Sequence, residues 1–223
     1  MINNISRVTI ISPHPDDETL SAGGSLLRFN KLNIKTSCLV VSGHLPPLYK
    51  QSDYETTKSE SLEAFKKYGI YDYEFLEIPA TTIHEEPIAK INKMILSHIY
   101  KFKPDLLLIP FPDRHIDHRV IFDSSMVASR PNNTYFPKIV MAYETLSETH
   151  WNAPNIEPNF SPNVFFNITE YIDKKLEVLS IYKSQITNNI SRSQEAVKAL
   201  AKFRGSQNGC GYAEAFQLIR QVF

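Results

Sequence analysis

Val8-Thr9-Ile10-Ile11-Ser12-Pro13-His14-Pro15-Asp16-Asp17-Glu18 joins an apolar run to a histidine and three carboxylates. The apolar residues read as a buried strand, and the two prolines stiffen the turn behind it. Where helices connect parallel strands, ligands gather at the carboxyl ends of those strands. The stretch therefore asks whether the rest of the chain alternates strand with helix.

It does. Strand-like runs over 8–12, 37–42, 73–78, 105–110 and 138–143 alternate with helical periodicity over 19–30, 55–68, 88–100 and 117–129. Gly69 stops the second of those helices. A further strand is expected over 163–168, then a helix capped by Thr169 and a last helix over 193–203. The pattern predicts the α/β class: a Rossmann-like, mostly parallel sheet with helices on both faces, in one domain spanning 1–223. The polar, Pro-rich stretch 145–161 breaks the rhythm and reads as a long loop over one end of the sheet. It holds Trp151, the only tryptophan.

Composition narrows the function. A hydrophobic content of 42% supports a sizeable core, and 24 basic residues balance 24 acidic ones, so the chain lacks the footprint of a nucleic-acid partner. No apolar stretch approaches the ~20 residues needed to span a bilayer, and the amino terminus lacks a signal-peptide layout. Cys38 and Cys210 suit free thiols in a reducing compartment. These features predict a cytoplasmic protein without a transmembrane segment.

A second polar cluster, Pro112-Asp113-Arg114-His115-Ile116-Asp117-His118, follows the buried run Leu106-Leu107-Leu108-Ile109. Each cluster alone has an ordinary reading. Carboxylates complement a helix amino terminus, and a His-x-x-His pair is usually plain surface. Together, at the same end of two parallel strands, they point to a metal site. Catalytic zinc is commonly held by three His and carboxylate ligands with an open position for water. Two ligands from the first loop and one histidine from the second meet that number.

The pair of motifs resembles the signature of the PIG-L (LmbE-like) family, zinc-dependent hydrolases that remove acetyl groups from N-acetylated amino sugars. Supporting similarity lies in Gly23-Gly24, Arg130-Pro131, Tyr182, Ser184-Gln185, Arg204-Gly205 and the ending Tyr212-Ala213-Glu214-Ala215-Phe216. The resemblance implies that His14, Asp17 and His118 hold Zn2+, with iron an alternative for such ligands. It implies Asp16 as general base and His115 as general acid or oxyanion stabiliser. Asp117 would orient His115 and help it carry charge. The implied substrate is a small N-acetylated sugar or sugar conjugate, and some relatives are homo-oligomers. Two positions depart from the family: Thr57 stands where many relatives place a substrate-contacting Arg, and Ala80 where many place an Asp. Lys58, Glu144 and Trp151 are the candidates for substrate binding in their stead. Two rival readings stay open at this point, a phosphoesterase on the same carboxylates and a glycan- or nucleotide-binding module without turnover.

Overall fold

A computed structural model describes residues 5–153 and 155–223. A seven-stranded sheet runs through the molecule in the order β3-β2-β1-β4-β5-β7-β6. The parallel part comprises β1 (Arg7–Ser12), β2 (Lys35–Gly43), β3 (Asp72–Pro79), β4 (Leu106–Pro110) and β5 (Ile139–Tyr143). Its crossovers are α1 (Asp17–Lys31), α2 (Gln51–Tyr68), α3 (Ile88–Phe102) and α4 (Ile116–Ala128). The carboxy-terminal third adds β6 (Val164–Asn167), α5 (Ile172–Leu179), α6 (Lys183–Ile186), α7 (Gln194–Ser206) and β7 (Ala213–Gln221). β7 lies antiparallel between β5 and β6, with Phe216 facing Tyr143 on one side and Val164 on the other. The alternation in the sequence thus produces the expected α/β sheet. Thr169 does not cap α5: its amide and hydroxyl both donate to Asn167, and Tyr171 occupies the cap position.

Strand pleating sorts the side chains into two cores. Val8, Ile10, Cys38, Leu106, Leu108 and Met141 pack under α1 and α2 against Leu26, Phe29, Phe65 and Tyr68. Ile11, Leu39, Leu107, Ile109 and Val140 point the other way, onto Ile91, Ile95 and Ile99 of α3 and Ile121 of α4. The glycine pair in α1 allows close packing there: a Cβ on Gly24 would lie 2.8 Å from Ile168, and one on Gly23 would lie 2.7 Å from the Tyr68 hydroxyl. Both cysteines are free thiols. Among the described residues, no helix is long and apolar enough to cross a membrane.

The topology fixes where chemistry can occur. β1 pairs with β2 on one side and β4 on the other, so the strand order reverses at β1/β4. Such a switch point opens a crevice outside the strand ends. The β1–α1 and β4–α4 turns both empty into it, and these turns carry the two polar motifs.

Candidate metal centre

Pro13 leads into a turn that ends at Asp16, whose backbone sits at φ 116°. A non-glycine residue there is strained by about 1–3 kcal/mol and persists only where its surroundings hold it. Although Asp16 is the N-cap of α1, its side chain makes no capping bond. The twist throws neighbouring carboxylates apart: Asp17 Oδ2 meets the His14 ring at 3.1 Å, whereas Asp16 Oδ2 meets Arg192 Nη1 at 2.9 Å. Glu18, wholly buried, anchors the turn from below by accepting from Ser12 Oγ, Thr19 Oγ1 and the Tyr182 hydroxyl.

Across the switch point, His115 caps α4 by accepting the Asp117 amide on Nδ1 at 3.2 Å. His118, one turn into the helix, is completely buried. Its Nδ1 lies 3.0 Å from Asp113 Oδ2, and Asp113 is held in turn by the Thr149 hydroxyl at 2.9 Å. His118 Nε2 lies 3.5 Å from Asp17 Oδ2, buried and without a hydrogen-bond partner.

Two overlapping groups have ligand atoms close enough to share an ion: His14, Asp17 and His118, and His14, His115 and Asp117. The first is chemically better suited. In it each imidazole has one nitrogen clamped by a carboxylate outside the group, His14 Nε2 by Asp117 at 2.9 Å and His118 Nδ1 by Asp113. Outer carboxylates of this kind orient and enrich metal-bound histidines. In the second group His115 Nδ1 is already spent on the α4 cap. The orphaned, buried His118 Nε2 also fits a position that faces a cation.

Without a cation this is a proton-rich cluster. Burial opposes charge on His118, but Asp17 and Asp113 overcome it and raise its pKa to about 10. Burial likewise opposes charge on His14, and Asp117 with Asp17 lifts it to about 9. Asp16 moves to about 7 because burial disfavours its charged form, with Arg192 pulling in the other direction. Burial, reinforced by the neighbouring His14 and His118 charges, pushes His115 down to about 4.

The structure thus brings together His14, Asp16, Asp17, His115, Asp117 and His118. One expected contact differs. The Asp117 carboxylate does not face the His115 ring; Oδ2 takes His14 Nε2 and the Thr81 amide at 2.8 Å, and stays 3.9 Å from His115 Nδ1. The reason is local, since a histidine that caps a helix points its Nδ1 at the backbone of residue 117. Two of the three substrate-binding candidates have charged partners of their own. Lys58 is tied to Glu77 at 2.6 Å, and buried Glu144 is held by Arg204 through two bonds. Thr57 is buried and bonds back to Tyr54 O within α2. Trp151, 68% exposed in the loop after β5, lines an open groove together with Arg192, which bonds Asp16. The sequence assigns no role to Arg192, Glu148 or Asp113. Asp113 carried a signal in its place beside the histidines; Arg192, between α6 and α7, carried none.

An α/β sheet with His and Asp side chains converging at its switch point defines a scaffold that could hold a metal ion. Residues 9–129 match the family described as PIG-L, GlcNAc-PI de-N-acetylase, and the chain belongs to that family. It is similar to the diacetylchitobiose deacetylase of Thermococcus kodakarensis, 24% identical over 99% of this chain and 86% of the relative. Its fold superposes with TM-score 0.80 on the N,N'-diacetylchitobiose deacetylase from Pyrococcus horikoshii, at 20% identity over 98% of this chain and 85% of the other. It also superposes with TM-score 0.79 on the 4-carboxy-2-hydroxymuconate hydratase of Pseudomonas putida, 16% identical over 98% of each chain.

Proposed function

We propose that this protein is a zinc-dependent hydrolase that removes the acetyl group from an N-acetylated amino sugar or sugar conjugate and releases acetate. The observation that carries the reading is the convergence of His14, Asp17 and the unspent His118 Nε2 beside a buried, differently aimed Asp16. Membership of a family described as a de-N-acetylase supports it, as do relatives named as sugar deacetylases. A bound divalent cation would supply a Lewis acid for the acetamide carbonyl and make water acidic enough to ionise near neutral pH.

The remaining work falls to the chain. Asp113 and Asp117 fix the rings of His118 and His14. Asp16, with a pKa of about 7, suits a group that takes a proton and gives it back. It removes a proton from the attacking water as the C–O bond forms. It delivers that proton to nitrogen as the C–N bond breaks, leaving acetate and a free amine. His115 accepts on Nδ1, so its ring proton rests on Nε2. There it can donate to the carbonyl oxygen as charge develops. Of the two roles open to His115 from sequence, this geometry favours the oxyanion stabiliser and passes proton delivery to Asp16. Free Cys38 and Cys210 support a cytoplasmic setting.

The test is acetate release from N-acetylated sugars by zinc-loaded protein, with chelator-treated protein and Asp16→Asn as controls. Turnover that needs the metal and collapses in Asp16→Asn is expected. One fold neighbour is a hydratase, so hydration of an unsaturated tricarboxylate without acetate release would overturn the reading.

A further inference from the structure

The opposite end of the sheet holds an open cavity of ≈ 750 Å³, where β1, β2 and β3 begin and α3 makes its last turn. β1 runs from Arg7 to Ser12, so at ~3.3 Å per residue its two ends stand about 17 Å apart. The cavity shares no residue with the metal centre. Among the described residues, three cations line it, Arg7, Lys35 and Lys101, against one carboxylate, Asp72.

Two of these cations lack a partner. Lys101 donates to Glu74 at 2.6 Å, but among the described residues no carboxylate lies within ion-pairing distance of the Arg7 guanidinium or the Lys35 ammonium. Asp105 is the neighbour that could have served Arg7. Its Oδ2 is instead taken by the Ser6 amide at 2.8 Å, the Ser6 hydroxyl at 2.7 Å and the Arg7 amide at 2.9 Å, and it feels the guanidinium only at longer range. Arg7 and Lys35 are register partners in the parallel β1–β2 pair. Their side chains therefore leave the same face of the sheet from roots about 5 Å apart. Like charges so placed repel, and a dianion between them converts the repulsion into charge-assisted hydrogen bonds.

The rest of the lining narrows the anion. Phe102, its one aromatic ring, is already engaged by His98 at 4.4 Å between centroids and by the Lys101 ammonium at 4.9 Å, which leaves a nucleobase no free stacking platform. Val8 is its one aliphatic side chain, too little to bury an acyl chain. The remaining side chains carry hydroxyls and an amide, which with Asp72 suit the hydroxyls of a small polyol. We infer that this cavity binds a compact phosphate dianion, free or as the monoester of a small polyol, between Arg7 and Lys35. The site stands apart from the metal centre and does not depend on the deacetylase reading.

Amide NMR titration of the full chain, with and without zinc, reads both the position and the affinity of the ligand. At about 50 mM chloride, inorganic phosphate and glycerol 3-phosphate should move the amides of Arg7, Asn33, Lys35 and Lys101 and saturate near about 1 mM. Equal affinities identify the free anion as the ligand, and tighter binding of the ester identifies the monoester. Lys35→Gln should weaken binding about tenfold, and Arg7→Gln with Lys35→Gln about a hundredfold. Both side chains are exposed, so the double variant should melt close to the parent. The inference is overturned by shifts confined to residues 13–18 and 113–118, by no saturation at about 20 mM, or by an affinity unchanged in the double variant. A double variant melting more than about 5 °C below the parent would also overturn it, by making the two cations part of the fold.

Discussion

Replacing Arg192 by Met is the sharpest probe of the reaction centre. The change removes a guanidinium 2.9 Å from Asp16 Oδ2 and leaves a carboxylate that is 1% exposed, with Oδ1 already unpartnered. An opposite charge at this range lowers a carboxyl pKa by about 1–3 units. The Arg192 side chain keeps 18% exposure, so solvent replaces part of the interaction. A rise of about two units is expected, equivalent to about 2.7 kcal/mol. In the proposed reaction Asp16 acts in its ionised form, and loss of the guanidinium favours the protonated one. The acidic limb of kcat/KM, near the Asp16 value of about 7, should therefore climb by about two units. Activity should drop about fiftyfold at pH 7 and recover toward about pH 10. Arg192→Lys keeps the charge and should move the limb by less than about one unit. The assay is the pH–rate profile of acetate release, with bound metal measured for each variant. A limb in Arg192→Met within about 0.3 units of the parent, at equal metal content, would refute the coupling.

Metal uptake should be proton-linked: His14 and His118 stand at about 9 and about 10 in the free cluster, so zinc binding near pH 7 should expel about two protons. Calorimetry in buffers of different ionisation enthalpy reads that number, and a value near zero would refute the ligand assignment. The same raised values govern the metal-free protein. The stability they contribute is complete below the unfolded histidine value of about 6.5 and is lost as pH rises through about 9 to 10. Its melting temperature should therefore fall between about pH 7 and pH 9, and a flat or rising profile would contradict the cluster. Away from the site, Lys175 is 2% exposed and donates to Glu214 at 2.7 Å and to Leu20 O at 2.9 Å. Lys175→Met leaves the buried Glu214 carboxylate without its cation, held only by the Gly24 and Ser25 amides and the Ser25 hydroxyl, and should cost about 3–5 kcal/mol in urea unfolding. A loss below about 1 kcal/mol would place the pair among ordinary surface bridges.

What could be read in the sequence was what neighbours in sequence decide. His14, Asp17 and His118 stand directly behind apolar runs, and a parallel sheet brings the ends of β1 and β4 together. The Asp117 contact was hidden because the α4 cap geometry, not the residue type, chooses which ring its carboxylate meets. β7 was missed as a strand, since its place is set by pairing with β5 and β6 at long sequence separation. Arg192 lies 176 residues from Asp16 in the chain, and nothing local to Asn189-Ile190-Ser191-Arg192 announces a partner so remote. Glu77 and Arg204, the partners of Lys58 and Glu144, come from other elements and leave no mark near either residue in the sequence.

The reversal of strand order at β1/β4 separates two inheritances. The side chains that could share an ion, His14, Asp17 and His118, all fall within residues 9–129, on the turns behind β1 and β4. The open groove beside them is walled by Ser147, Glu148 and Trp151 of the loop after β5 and by the α6–α7 connection, which carry little of the sheet. Residues 9–129 are also the part that matches the family. Such a layout lets the later third drift, lengthen or be exchanged while the reacting centre keeps its geometry. On the proposed deacetylase reading, one chemistry is re-aimed at new substrates by rebuilding only the walls.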